Sequence, residues 1–222
     1  NAFSDKDSLR SEWWLDIMKH AEQELDIRMR LSNDKLGIAR CIQNIGVINY
    51  NLDNCEEAVK NYDEVTLAML EIFGEVSEEI SYNYLLLGKA YDRLGKLECA
   101  SMYLEKSIKI RAKLMIDDSR TKQACLLLKN VFLRQKDYKS GLRFYEEWLQ
   151  FVREVYGPES SQAIQVNRTI GYFYSKLDIF KKANKYYGEA VRIAKKLGKE
   201  DFETANLCLD ARHLYYRQED DL

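Results

Sequence analysis

The sequence predicts an all-α protein built as an array of stacked helix pairs, and three observations predict it. The first is a period: the unit around Leu87-Gly88-Lys89-Ala90-Tyr91 recurs at Gly46, Lys129 and Gly171, at spacings of about 42 residues. A fixed period of roughly 20–50 residues marks repeats that bury their apolar faces only against neighbours. The second is a stripe with helical spacing: Ile45/Ile48/Leu52, Leu87/Ala90/Tyr91/Leu94, Leu128/Val131/Phe132 and Ile170/Phe173/Tyr174/Leu177. The third is punctuation. Gly74 follows Gly46, Gly157 follows Lys129 and Gly198 follows Gly171 at a nearly equal distance, each where a second helix must stop.

Taken in order, residues 8–31 read as one long helix, with Trp14, Ile17, Met18, Ala21, Leu25 and Met29 on one face and Ser8 or Ser11 as N-cap. Its end, Leu25-Asp-Ile-Arg-Met-Arg-Leu31, resembles Ile108-Lys-Ile-Arg-Ala-Lys-Leu114 two repeats later, which makes it the second half of a repeat. Four repeats follow at 34–73, 76–115, 118–156 and 159–197, with a closing helix at 201–218. Asn54 with Glu57 has the spacing of a capping box. Pro158 after Gly157 bars helix continuation. The small residues Ala58, Ala100, Gly141 and Ala183 recur in the second helices, where they let helix axes approach.

Composition limits function. Thirty-four basic and 36 acidic residues leave a net charge of −2, which gives no support to non-specific nucleic-acid binding. No run of about 18 apolar residues suggests a membrane span. Asn1-Ala-Phe-Ser-Asp5 lacks signal-peptide order, so the expectation is a cytoplasmic segment of a longer protein. Cys41, Cys55, Cys99, Cys125 and Cys208 form no C-x-x-C pair, and His20 and His213 stand far apart. Buried thiols are expected rather than disulfides or a metal site. Phosphate-loop, zinc-protease and serine-nucleophile motifs are missing, and pairs such as Glu56-Glu57, Glu78-Glu79 and Glu146-Glu147 suit helix starts or solvated faces. No enzyme activity and no cofactor are expected.

Leu87-Gly88, Tyr91, Gly95, Ala100 and Tyr103 together resemble the tetratricopeptide repeat (TPR). The 41–42-residue spacing and the junction Val155-Tyr-Gly-Pro-Glu-Ser160 resemble the long repeats of kinesin light chain and nephrocystin-3-type proteins. The resemblance covers about residues 36–218 and implies a right-handed superhelix of about ten helices. It also implies that the first helices present a peptide-binding groove. By repeat position the groove residues would be Arg40, Gln43, Asn44, Val47, Tyr50 and Asn51, then Tyr82, Leu85, Leu86, Lys89, Asp92 and Arg93. Gln123, Leu126, Leu127, Asn130, Leu133 and Arg134 follow, then Gln165, Arg168, Thr169, Tyr172, Ser175 and Lys176. Of the paired-asparagine positions of kinesin light chains, only Asn44 keeps asparagine.

Arg40, Lys89, Arg93, Arg134, Arg168 and Lys176 outnumber the single acid, Asp92, at these positions, so the expected ligand is an extended acidic peptide. Leu85, Leu86, Leu126, Leu127 and Leu133 would add an apolar strip. Trp13 lies off the first helix's stripe and is expected to face a helix outside the segment, a partner or another copy. The expected function is therefore a non-enzymatic interaction scaffold. The alternative is a regulatory TPR domain that senses a ligand or a segment of its own protein.

Overall fold

The computed structural model describes residues 2–31 and 34–198. The expected closing helix at 201–218, Cys208 and His213 lie outside them. Nine helices and no strand occupy the described residues. They are α1 (Ala2–Leu31), α2 (Lys35–Asn51), α3 (Cys55–Phe73), α4 (Glu78–Arg93), α5 (Leu97–Lys113), α6 (Ser119–Gln135), α7 (Tyr138–Tyr156), α8 (Ser161–Lys176) and α9 (Phe180–Lys196). The chain divides into two compact units, one ending at Val131 and the other beginning at Phe132.

In the first unit α3 and α4 bury Ala58, Val59, Tyr62, Leu86, Leu87 and Ala90 in one cluster. A second cluster gathers Ile42, Val65, Met69, Ile80 and Ile110 from α2 to α5. The glycines of the repeat mark where two helices of a pair touch. A Cβ at Gly46 would lie 2.6 Å from the Tyr62 ring, and one at Gly88 would lie 2.6 Å from Leu104 Cγ. In the second unit a Cβ at Gly171 would lie 3.1 Å from the Tyr187 ring. In all three pairs the partner sits at the same offset from its glycine along the chain. A second contact recurs at a shorter fixed offset: the Asn49 amide donates to Asn61 Oδ1 at 3.1 Å, Tyr91 stacks on Tyr103, and Tyr174 stacks on Tyr186.

The turn inside each pair repeats in conformation more faithfully than in sequence. Asp53, Gly95, Lys136 and Asp178 all have positive φ, at 67°, 72°, 56° and 56°. The next residue's N–H reaches back to a carbonyl five residues earlier: Asn54 to Asn49, Lys96 to Tyr91, Asp137 to Phe132 and Ile179 to Tyr174. That is the glycine-type helix stop, here executed by three non-glycine residues. Lys136→Gly is therefore expected to stabilise the chain by about 0.5–1 kcal/mol, relieving left-handed strain. Thermal unfolding reads it, and a lower melting temperature would show that the lysine stem contributes packing instead.

The N-termini depart from expectation at two places. α1 begins at Ala2, so Ser8 and Ser11 lie within the helix and neither is its N-cap residue. Asn54 makes no side-chain cap bond, and Glu57 pairs instead with Lys60 at 2.6 Å. Elsewhere Asp34, Ser77, Asp137 and Ser160 accept from the N–H three residues on. The stripe of α1 also ends differently. Trp14, Ile17, Met18, Ala21 and Leu25 are half-buried, but Met29 is 64% exposed and half-buried Arg28 takes the inward position. Trp13 is exposed and packs edge-on against Trp14 at 4.8 Å.

At the α5–α6 junction lies a buried polar cluster that no sequence pattern signalled. Arg111 is fully buried. Its guanidinium donates to Asp118 (2.5 Å), Thr121 Oγ1 (2.7 Å) and Ser81 Oγ (3.2 Å). Burial pushes the Asp118 carboxyl up. The Thr121 backbone N–H, the Arg111 hydrogen bond and charge, and the Arg120 backbone N–H outweigh it, leaving Asp118 below the usual aspartate range. Two repeats earlier Arg28 meets Asp34 in the same way at 3.0 Å, but there both side chains are partly exposed.

Candidate peptide-binding site

In the first unit the candidate positions lie on α2, α4 and the first three turns of α6. Arg40, Asn44 and Asn51 are exposed on α2, while Gln43, Val47 and Tyr50 are half-buried. On α4, Tyr82, Lys89 and Asp92 are half-buried and Arg93 is exposed. Gln123, Leu126 and Asn130 are exposed on α6, with Leu127 half-buried.

Leu85 and Leu86 are a correction. They are 1% and 7% exposed, and Leu86 packs in the cluster built on Ala58 and Tyr62 of α3. α4 touches α2, α3 and α5, so most of its circumference is buried, and periodicity around one stripe misassigns these two leucines. They offer no surface to a ligand.

Tertiary contacts bring some of the remaining positions together. Arg93 Nη1 donates to the Tyr50 carbonyl at 2.7 Å, its guanidinium lies 4.4 Å from the Tyr50 ring centre, and Asp53 stands at 3.6 Å. Gln43 donates at 3.0 Å to Asn83, which in turn donates to Thr66 Oγ1 and the Tyr62 carbonyl. This chain of bonds fixes Gln43 against α3 and α4. Asn51 turns back onto the Val47 carbonyl at 2.7 Å.

Two participants escaped the sequence reading. Asn83 is fully buried, and its polarity alone does not reveal on which face it sits. Arg120 lies over the Tyr82 ring at 4.4 Å and pairs with Glu78 at 3.2 Å. Its signal was available: opposite charges one repeat length apart become neighbours when repeats stack.

Arg40 and Lys89 differ from these. Neither makes a hydrogen bond or ion pair among the described residues, and Lys89 is half-buried. Burial lowers the Lys89 amine below the ordinary lysine value. An ammonium withdrawn from water without a counter-ion is costly, and it becomes favourable again when a carboxylate reaches it.

In the second unit, Arg134 is exposed near the end of α6 and Leu133 is half-buried. On α8, Gln165 and Lys176 are exposed, while Arg168, Thr169, Tyr172 and Ser175 are half-buried. Thr169 and Ser175 hydroxyls donate to the Gln165 and Tyr172 carbonyls, and Lys176 lies 5.1 Å from the Tyr172 ring centre. No group of metal-ligating side chains occurs among the described residues. No described helix is long and apolar enough to cross a membrane.

No curated protein matches the chain. Residues 19–113 match the tetratricopeptide repeat family. Among solved structures, BtubC (BKLC) from P. vanneervenii aligns with a TM-score of 0.64 at 18% identity, over 91% of this chain and 83% of that one. A putative kinesin light chain from Podosopora anserina with nearly identical TPR-like repeats aligns at 0.64 and 13%, over 82% and 88%. The apo form of RapI aligns at 0.70 and 14%, over 90% of this chain but only 54% of RapI. At these identities the likeness concerns the fold. The family match covers 19–113, helix pairs of the same kind continue to Lys196, and the fold of the chain is similar to that of the kinesin light chain tetratricopeptide repeats.

Proposed function

We propose that this chain holds an extended acidic peptide segment of a partner protein on the first-helix face of its first unit. The TPR fold is a protein-interaction scaffold, and the observation that carries the finer reading is Lys89, half-buried and without a partner among the described residues. Exposed Arg40, likewise unpaired among the described residues, adds a second cation on the neighbouring helix α2. Asn44, Val47 and Tyr50 offer amide, apolar and aromatic contact on the same helix. Arg168, Tyr172 and Lys176 of α8 form the corresponding set in the second unit. A binding module needs no cofactor and no catalytic group, and the reading is of a non-enzymatic, cytoplasmic scaffold.

The test is a titration of the chain with an acetylated decapeptide carrying four glutamates and two leucines, against its glutamine counterpart. Binding in the micromolar range that weakens with salt is expected, because exposed ion pairs contribute only about 0–1 kcal/mol each. Lys89→Met should weaken binding yet leave the free protein as stable or more so, because it removes a desolvated charge. Affinity should also fall as pH rises through the lowered Lys89 pKa, since the ligand needs the protonated amine. Equal binding of both peptides, or of Lys89→Met and the parent chain, would overturn the reading.

A further inference from the structure

A second surface belongs to the second unit and is built from second helices. Between α7 and α9 lies an open cleft of about 590 Å³, lined by Glu146, Leu149, Gln150, Arg153, Pro158 and Tyr186 among others. At one end the Glu146 carboxylate accepts from the Tyr174 hydroxyl at 2.7 Å and the Tyr186 hydroxyl at 3.5 Å. Burial first, and then Glu146, raises both phenols above their ordinary range, so they stay protonated and hold the carboxylate in place. A carboxylate has about four acceptor sites, so it retains capacity for a cation beside the Tyr186 ring. Two turns along α7, about 10 Å at helical rise, stands Arg153. It is exposed and makes no hydrogen bond or ion pair among the described residues. The other acid of the lining, Glu154, already accepts from Gln150 at 3.2 Å.

The two units differ at one position of α4 and α8. Tyr84 of α4 packs there against the cluster of Val65, Met69 and Ile110 and lies 5.6 Å from the Tyr103 ring. At the offset that also relates Gly88 to Gly171 and Tyr103 to Tyr186, the equivalent residue of the second unit is Asn167. The bulky ring is replaced by a short amide. Asn167 is fully buried, its Nδ2 donates to the Ala163 carbonyl, and its Oδ1 has no partner among the described residues. An unsatisfied buried acceptor costs free energy unless a donor reaches it.

We propose that the α7–α9 cleft binds an extended protein segment with a basic side chain at the Glu146–Tyr186 end and an acidic one about three residues away at Arg153. Three residues of extended chain span about 10 Å, which matches the helical rise between Glu146 and Arg153 along α7. This site is distinct from the acidic-peptide face of the first unit.

The test uses the full chain, nitrogen-15 labelled, and four acetylated hexapeptides: Gly-Arg-Ala-Ala-Asp-Gly, Gly-Asp-Ala-Ala-Arg-Gly, and versions with two arginines or two aspartates. At least one mixed peptide should shift amides of residues 146–158 and 186 and bind about fivefold more tightly than either like-charged peptide. Arg153→Glu, a change at an exposed position, should move the preference to the two-arginine peptide. Equal binding of all four peptides overturns the proposal, as do shifts confined to α2 and α4 or an Arg153→Glu preference that stays unchanged. Shifts confined to α2 and α4 would still support the first-unit reading, so the two can fail separately.

Discussion

Asp118→Ala is expected to destabilise the first unit by about 3 kcal/mol, because it leaves a buried guanidinium without its counter-ion. Arg111 is fully buried and Asp118 is 40% exposed, so water recovers part of the loss for the carboxylate's side only. Arg111→Met should cost far less. It removes the charge itself, while Thr121 keeps its bond to the Ile116 carbonyl and Ser81 its bond to the Glu78 carbonyl. At the related Arg28–Asp34 pair, with side chains 38% and 46% exposed, Asp34→Ala should cost about 1 kcal/mol, much of it the lost cap on Gly37. Urea unfolding of the three variants reads the ranking, and an Asp118→Ala cost no larger than that of Arg111→Met sinks it. The same pair sets a pH dependence. Asp118 is depressed in the folded state, so its contribution is fully present above the unfolded aspartate pKa, about 3.9. It is lost as pH falls through the lower folded value.

Gly88→Leu is expected to cost about 1–3 kcal/mol by overpacking. The first added carbon would already lie 2.6 Å from Leu104 Cγ, 2.8 Å from Leu104 Cδ2 and 3.5 Å from the Ala100 carbonyl oxygen. Leu104 is itself fully buried and has nowhere to retreat. The more discriminating comparison is with alanine. Gly188 is helical and has nothing within 4 Å of an added Cβ, so Gly188→Ala should stabilise by about 0.5–1 kcal/mol through helix propensity. Gly88→Ala receives the same propensity gain and should nevertheless destabilise. Pairing it with Leu104→Ala should recover part of the loss relative to Leu104→Ala alone, since the two changes share one contact. Thermal unfolding in which both alanine variants gain stability would show that Gly88 is not at a helix contact.

Much of the fold was legible because repeats state each local rule several times. The stops at Gly74 and Gly157, with φ of 76° and 88°, follow from a residue type that accepts that conformation without strain. Asp53, Lys136 and Asp178 adopt the same turn with no glycine to announce it. Backbone hydrogen bonding enforced by the stacked helices, not the side chain, decides the conformation there.

Sequence by itself determined the helical class, the repeat period and the glycines at helix contacts. Those depend on spacing along one chain and on the size of one side chain. Tertiary structure decided which polar and apolar residues are withdrawn from water, because burial is a property of the neighbours a helix acquires. Leu85 and Leu86 are buried since α4 has helices on several sides, whereas Ile27, matched in sequence to buried Ile110, is 55% exposed on α1, which packs against α2. Arg111 is an inward arginine held by Asp118, Thr121 and Ser81, residues 7, 10 and 30 positions away, and no local pattern encodes that meeting. The cleft beside Glu146 exists for the same reason: its lining comes from α7, Pro158 and Tyr186 of α9, which only packing brings together.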